Sequence, residues 1–226
     1  MAIRPGVILV SLFGAVAVQA HEPITTKLTW TQEISRIVYK RCAGCHHEGG
    51  GAFSLATYED ARPWAKAIRE EVLERRMPPW GAVEGVGAFR DNPSLTPVEI
   101  EMIVNWVEGG APEGDAVYLP PTPALIPPRQ EAAVEKGSIT IERGAGVTLK
   151  KSFTALAITP TNLPEGASME VTAYKSDGSV EELIWVRNYR DRWARTYWFR
   201  DGIPLAAGTR LAIDAPAPAA AMVSIR

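Results

Sequence analysis

The sequence predicts a two-domain α + β chain, an all-α domain followed by an antiparallel β-sandwich, on three observations. Apolar residues recur at helical spacing from Thr29 to Gly110. Six of the seventeen residues from Pro112 to Pro128 are proline, which fixes φ and removes amide donors, so neither a helix nor a central strand continues there. Beyond them the apolar period becomes two, in short runs separated by turn residues. Taken with the leader described next, this divides the chain into residues 1–20, an α-domain over 21–115, a proline-rich linker over 116–130 and a β-domain over 131–226.

Residues 1–20 carry one charge, Arg4, an apolar run from Val7 to Val18, and a Val18-Gln19-Ala20 ending with small residues where a signal peptidase acts. The run is short of the roughly 20 residues a membrane-spanning helix needs, so cleavage after Ala20 and a periplasmic location are expected. An uncleaved, membrane-associated N-terminus is the alternative. In the α-domain, Thr29 and Gln32 form a capping pair ahead of an Ile34, Ile37, Val38 stripe. A second helical stretch opens near Tyr58, tolerates Pro63 in its first turn, aligns Trp64, Ile68 and Val72, and stops at Met77-Pro78-Pro79. The third has the sharpest ends, with Thr96 as N-cap, Pro97 at the first position, Glu99 completing the box and Gly109 closing it. In the β-domain, strands are expected over 138–142, 147–153, 168–175, 180–187, 193–200 and 209–214, with Ser176-Asp177-Gly178 as a hairpin turn.

Both cysteines of the chain fall in Cys42-Ala43-Gly44-Cys45-His46, the attachment pattern of a c-type haem. Two thiols three positions apart can each add to one porphyrin vinyl group, and the next residue places an imidazole beneath the iron. A disulfide or a thioredoxin-like couple is the competing reading, but that couple opens a helix within a βαβ unit and nothing around Cys42 reads as strand. One covalent haem c is therefore the expected cofactor, with Cys42, Cys45 and His46 binding it. For the second iron ligand, His47 adjoins His46, and sulfur is the better donor. Met77, stiffened by Pro78 and Pro79, is the candidate, with Met102 in reserve and simple core packing as the alternative for Met77. A histidine and a thioether on iron favour electron transfer over oxygen chemistry.

Residues 31–115 resemble bacterial class I c-type cytochrome domains in Phe53-Ser54-Leu55, Met77-Pro78-Pro79-Trp80 and Trp106-Val107-Glu108-Gly109-Gly110. That resemblance implies an all-α fold with Met77 on iron. Ala52 stands where those relatives commonly carry proline, so the acceptor for the other nitrogen of His46 is left open. Residues 152–215 resemble the C-terminal β-sandwich of ascorbate-dependent copper type II monooxygenases, of the peptidylglycine-hydroxylating kind, in Ala157-Ile158-Thr159-Pro160, Ser168 to Ala173, and Pro204 to Thr209. The copper-binding His-Met-His of that family is replaced by Thr161-Asn162-Leu163, and residues 130–226 contain no histidine or cysteine, so copper chemistry is not expected.

The expected function is that of a periplasmic electron carrier, not an enzyme in its own right. Its partner would be a redox protein or a membrane-bound respiratory or photosynthetic complex. A haem enzyme or sensor with an open iron face is the alternative. A net charge of −2 argues against nucleic acid as a partner. Residues 21–115 hold 10 Lys and Arg against 15 Asp and Glu, whereas residues 129–226 hold 13 against 11. Between Trp185 and Arg200, aromatic residues interleave with arginines, the pattern of either a plain sandwich face or a docking surface.

Overall fold

A computed structural model describes residues 27–122 and 137–226. The expected signal sequence, residues 1–20, and the expected linker from residue 123 onward lie outside the described residues. Helices α1 (Ser35–Arg41), α2 (Tyr58–Ala61), α3 (Ala65–Leu73) and α4 (Pro97–Glu108) are followed by strands β1 (Gly137–Glu142), β2 (Val147–Thr148), β3 (Phe153–Thr161), β4 (Met169–Tyr174), β5 (Val180–Val186), β6 (Tyr197–Leu205), β7 (Arg210–Asp214) and β8 (Ala220–Ile225). None of the described helices is long and apolar enough to cross a membrane.

This architecture corrects the expected fold class. The described residues are mainly β, in two antiparallel four-stranded sheets, and the α-helices are only 7, 4, 9 and 12 residues long. An all-α domain of the class I cytochrome kind is not evident. Glycine and proline leave residues 42–57 and 74–96 without an α-helix, and loop residues Leu55, Leu95 and Ala111 complete the small apolar cluster around Trp30, Ile103 and Trp106. The cytochrome resemblance fails on that architecture. The composite it formed with a copper-monooxygenase sandwich is withdrawn with it.

The helices follow from their caps. The Thr29 hydroxyl accepts from the Gln32 amide ahead of a π turn over Trp30–Ile34, and α1 continues from it. Thr57 caps α2, and Pro63 is accommodated in a 3₁₀ turn between α2 and α3. α4 has the full reciprocal box, with the Glu99 amide donating to Thr96 Oγ1 and the Thr96 amide donating to Glu99 Oε2. Trp106 is buried and its indole N–H donates to the Pro112 carbonyl at 2.9 Å, which binds the end of α4 to the following turn.

The sheets are ordered β1-β8-β3-β6 and β2-β7-β4-β5. Their shared core contains Ile141, Ile158, Met169, Leu183, Ile184, Phe199 and Leu211 among its most buried members. β5 and β6 are edge strands of different sheets, so each has one side without a ladder partner in its own sheet. The segment between α3 and α4 covers both. It forms antiparallel bridges at Ala82 with Val186 and at Phe89 with Phe199, and Ala82 and Phe89 are buried in the β core, not the helical one.

Candidate functional site

α1 ends where the motif begins. Cys42 is the C-cap of α1, its amide donating to the Val38 carbonyl at 2.8 Å, and the amides of Cys45 and His46 both donate to the Cys42 carbonyl at 3.0 and 2.9 Å. One tight turn thus carries both sulfurs and the imidazole. Both thiols are free; Cys45 is exposed and Cys42 half-buried. Burial, reinforced by the nearby Glu99 carboxylate, pushes the Cys42 thiol up to about 12. A redox-active thiol is held low, at a helix N-terminus or beside a cation. At Cys42 the helix C-terminus, burial and Glu99 outweigh the neighbouring Arg41 guanidinium, which weighs against the thioredoxin-like reading.

His46 is half-buried, and its Nδ1 lies 2.9 Å from the Phe53 carbonyl oxygen. With Nδ1–H donating to that carbonyl, Nε2 keeps its lone pair for a metal. Phe53 is thus the acceptor that the sequence left open. The neighbouring His47 turns the other way, its Nδ1 2.8 Å from the Ala43 carbonyl, and a Cβ on Gly50 would lie 2.9 Å from the His47 ring and 2.6 Å from the Cys45 carbonyl oxygen. Glycine at 50 is what lets this turn close.

The surroundings of His46 are apolar and open. Phe53 packs edge-on to the imidazole with ring centroids 5.0 Å apart, and Trp64 lies 4.5 Å from Phe53. Both are about half exposed, at 50% and 47%, an unusual placement for two large aromatics beside a metal-ligand type of residue. A flat apolar ring attached to Cys42 and Cys45 fits this ground. Among the described residues, no three His, Cys, Asp or Glu side chains gather into a metal site of their own.

Met77 reaches its place through the end of α3. Arg75 adopts a left-handed conformation with φ 53°, and the Met77 amide donates to the Glu71 carbonyl at 3.2 Å. Its half-buried thioether lines an open cleft of about 450 Å³ together with Val72, Leu95 and Ile100 from the helical part and Arg187 from the sandwich. Cys42, Cys45 and His46 do not line that cleft, so no cavity brings Met77 together with the Cys42–His46 turn. Met77 belongs to neither apolar core, whereas Met102 packs on the helical core and Met169 is fully buried in the β core.

The arginine–aromatic stretch sorts only in part into an inner and an outer face, with Trp185, Tyr189, Trp193 and Trp198 half-buried. Tyr197 and Phe199 are buried, while Arg187, Arg192 and Arg200 are exposed. Arg190 pairs with Glu165 at 3.1 Å, and Arg195 lies 5.4 Å from the centre of the Trp80 ring. That last contact joins the sandwich to the Met77 loop, and nothing in the sequence pattern announces it. In comparison with known proteins, the chain matches no family model and no curated protein.

Proposed function

We propose that this chain is an exported, periplasmic c-type haem protein that passes electrons through one haem, joined to Cys42 and Cys45 and ligated by His46 and Met77. One observation carries the reading: the imidazole directly following two free thiols on a single turn has Nδ1 at hydrogen-bonding distance from the Phe53 carbonyl oxygen, which leaves Nε2 available as a ligand. Bound there, a haem supplies reversible one-electron chemistry at iron, with a potential raised by histidine–thioether ligation.

The chain's own residues do the rest. The Phe53 carbonyl fixes the ring of His46, and Phe53 with Trp64 sheds water from that face. Met77, free of any core, offers a soft neutral donor. The carboxylate excess of residues 21–115 favours a basic docking partner; a redox protein or a membrane-bound redox complex is the class of partner required.

The test is the mass and the redox spectra of the exported protein, beside Met77→Ala and the double variant Cys42→Ala/Cys45→Ala. The proposal expects the mass of one haem added, a low-spin wild type with a sulfur-to-iron band, loss of that band in Met77→Ala, and no covalent haem in the double variant. A chain of unmodified mass overturns it. So does high-spin iron that binds carbon monoxide freely and ignores Met77→Ala, a result that moves the open-face enzyme or sensor forward.

A further inference from the structure

We propose that the β-sandwich sets the second iron ligand by clamping the loop that carries Met77, with Tyr197 and Arg195 as positioning residues; this rests on the haem reading above. On its N-terminal side, Met77 donates its amide to the Glu71 carbonyl, beside the Arg76 amide that donates to the same oxygen and the Arg76 guanidinium that pairs with Glu71. On its other side, Pro78 and Pro79 form a stiff two-residue link to Trp80, and from Trp80 to Arg90 the chain packs and pairs with the sandwich. The Arg187 amide donates to the Gly81 carbonyl at 2.9 Å, and the Val83 amide to the Trp185 carbonyl at 2.8 Å, both beside β5. The Arg90 amide donates to the Trp198 carbonyl at 2.8 Å and the Arg200 amide to the Ala88 carbonyl at 2.7 Å, both on β6. The loop is thereby stitched to an edge strand of each sheet.

Side chains lock the stitch at the end nearest Met77. Trp80 packs edge-to-face on Tyr197 with centroids 4.9 Å apart, under the Arg195 guanidinium, and Phe89 stacks on Phe199 at 5.3 Å. The approach at Gly81 is tight, since a Cβ there would lie 3.0 Å from the Tyr197 hydroxyl and 3.2 Å from Val186 Cγ1 and would have to push one of them aside. At Gly87, φ is +70° and a Cβ would collide with the Leu183 carbonyl. A shift of Trp80 away from Tyr197 has only the two prolines through which to relax before it reaches Met77. The sandwich thus has a task inside the protein, at the iron, as well as whatever surface it offers to partners.

The experiment uses the full-length haem-loaded protein and reads the sulfur-to-iron band, the reduction potential and carbon monoxide binding. Gly81→Val, Tyr197→Ala and Arg195→Gln are compared with Tyr197→Phe and with Ile141→Ala, a buried β1 residue on the far edge strand. Gly81→Val and Tyr197→Ala are expected to weaken the band, move the potential in the direction of Met77→Ala, and raise the fraction of iron open to carbon monoxide by about tenfold, the equivalent of about 1.4 kcal/mol or one good aromatic contact. Arg195→Gln should give a smaller change of the same sign, and Tyr197→Phe, which keeps the ring, should retain most of the band. Ile141→Ala should lower the melting temperature and leave the native spectrum alone. The clamp is overturned if the Gly81 and Tyr197 variants keep the wild-type band and potential, or if Ile141→Ala weakens the band equally. Should Gly81→Val fail to fold, Tyr197→Ala and Arg195→Gln decide. A wild type that keeps its spectrum in Met77→Ala sinks the haem ligation itself, an outcome separate from failure of the clamp.

Discussion

His46 and His47 are chemically identical neighbours with different fates, and backbone carbonyls decide between them. Phe53 offers its carbonyl to one ring and Ala43 to the other, so one imidazole packs against the half-exposed Phe53 ring and the other is bonded back to the turn. A carbonyl has no side-chain signature, which is why the Cys42–His46 motif was legible in the sequence and the Phe53 acceptor was not. Glu99 shows a second residue-scale balance. Burial raises its pKa, but the Arg41 guanidinium 3.0 Å away and the donating Thr96 amide outweigh that, and the net shift is downward from 4.5. A carboxylate whose folded pKa is depressed adds stability that is present above the unfolded value and is lost as pH falls through the folded one. Melting temperatures should therefore drop as pH falls below about 4.5. In Glu99→Gln the neutral-pH stability should be lower and that part of the acid slope absent. Thermal melts of both proteins across this range check it, and curves that stay parallel would remove Glu99 from the account.

At the scale of the element, the best-read pieces were those with their own local chemistry. The Thr96-Pro97-Glu99 start and Gly109 end of α4 match the structure because caps are short-range events. Thr96→Ala removes the side-chain half of that box and should cost about 1 kcal/mol. Thr96→Ser, which keeps the hydroxyl, should recover most of it in denaturant titrations; equal loss in both variants would assign the effect to the methyl group. Strands β4, β5 and β7 lie within a residue of the expected bounds. The two strands missed outright, β3 and β8, have a common cause. β3 and β8 are the two central strands of their sheet. β8 is buried at five of its six positions, and β3 shifts register between Ala155 and Ala157. Without a solvated face there is no alternation to read, and Pro160 and the alanine-rich Ala219-Ala220-Ala221 further disguise them. β6 begins later than expected because residues 191–193 form a 3₁₀ turn.

For the whole molecule, the consequential feature is the loop from Trp80 to Arg90, which belongs by sequence to the helical half and by contact to the sheets. Its partners Val186 and Phe199 lie far along the chain, so no window of periodicity could reveal the pairing, and the separate all-α unit was inferred from helical spacing that in fact supplies only short helices. The same loop covers one edge of each sheet, where unpaired amides and carbonyls would otherwise face solvent. Unfolding the sandwich therefore strips the Met77 loop of its mount, and freeing the loop uncovers two strand edges and removes Phe89 and Ala82 from the β core. The two parts should melt as one cooperative unit. Ile184→Ala tests this from a distance: Ile184 is fully buried on β5, and its truncation should cost about 2–5 kcal/mol. On the haem reading proposed above, that loss should lower the midpoint seen in the visible absorption of the haem by as much as the midpoint seen in far-ultraviolet circular dichroism, because the loop links the probes. If the dichroism midpoint falls and the haem midpoint stays at its wild-type value, the halves unfold independently, and the bridges at Ala82 and Phe89 contribute too little to couple them.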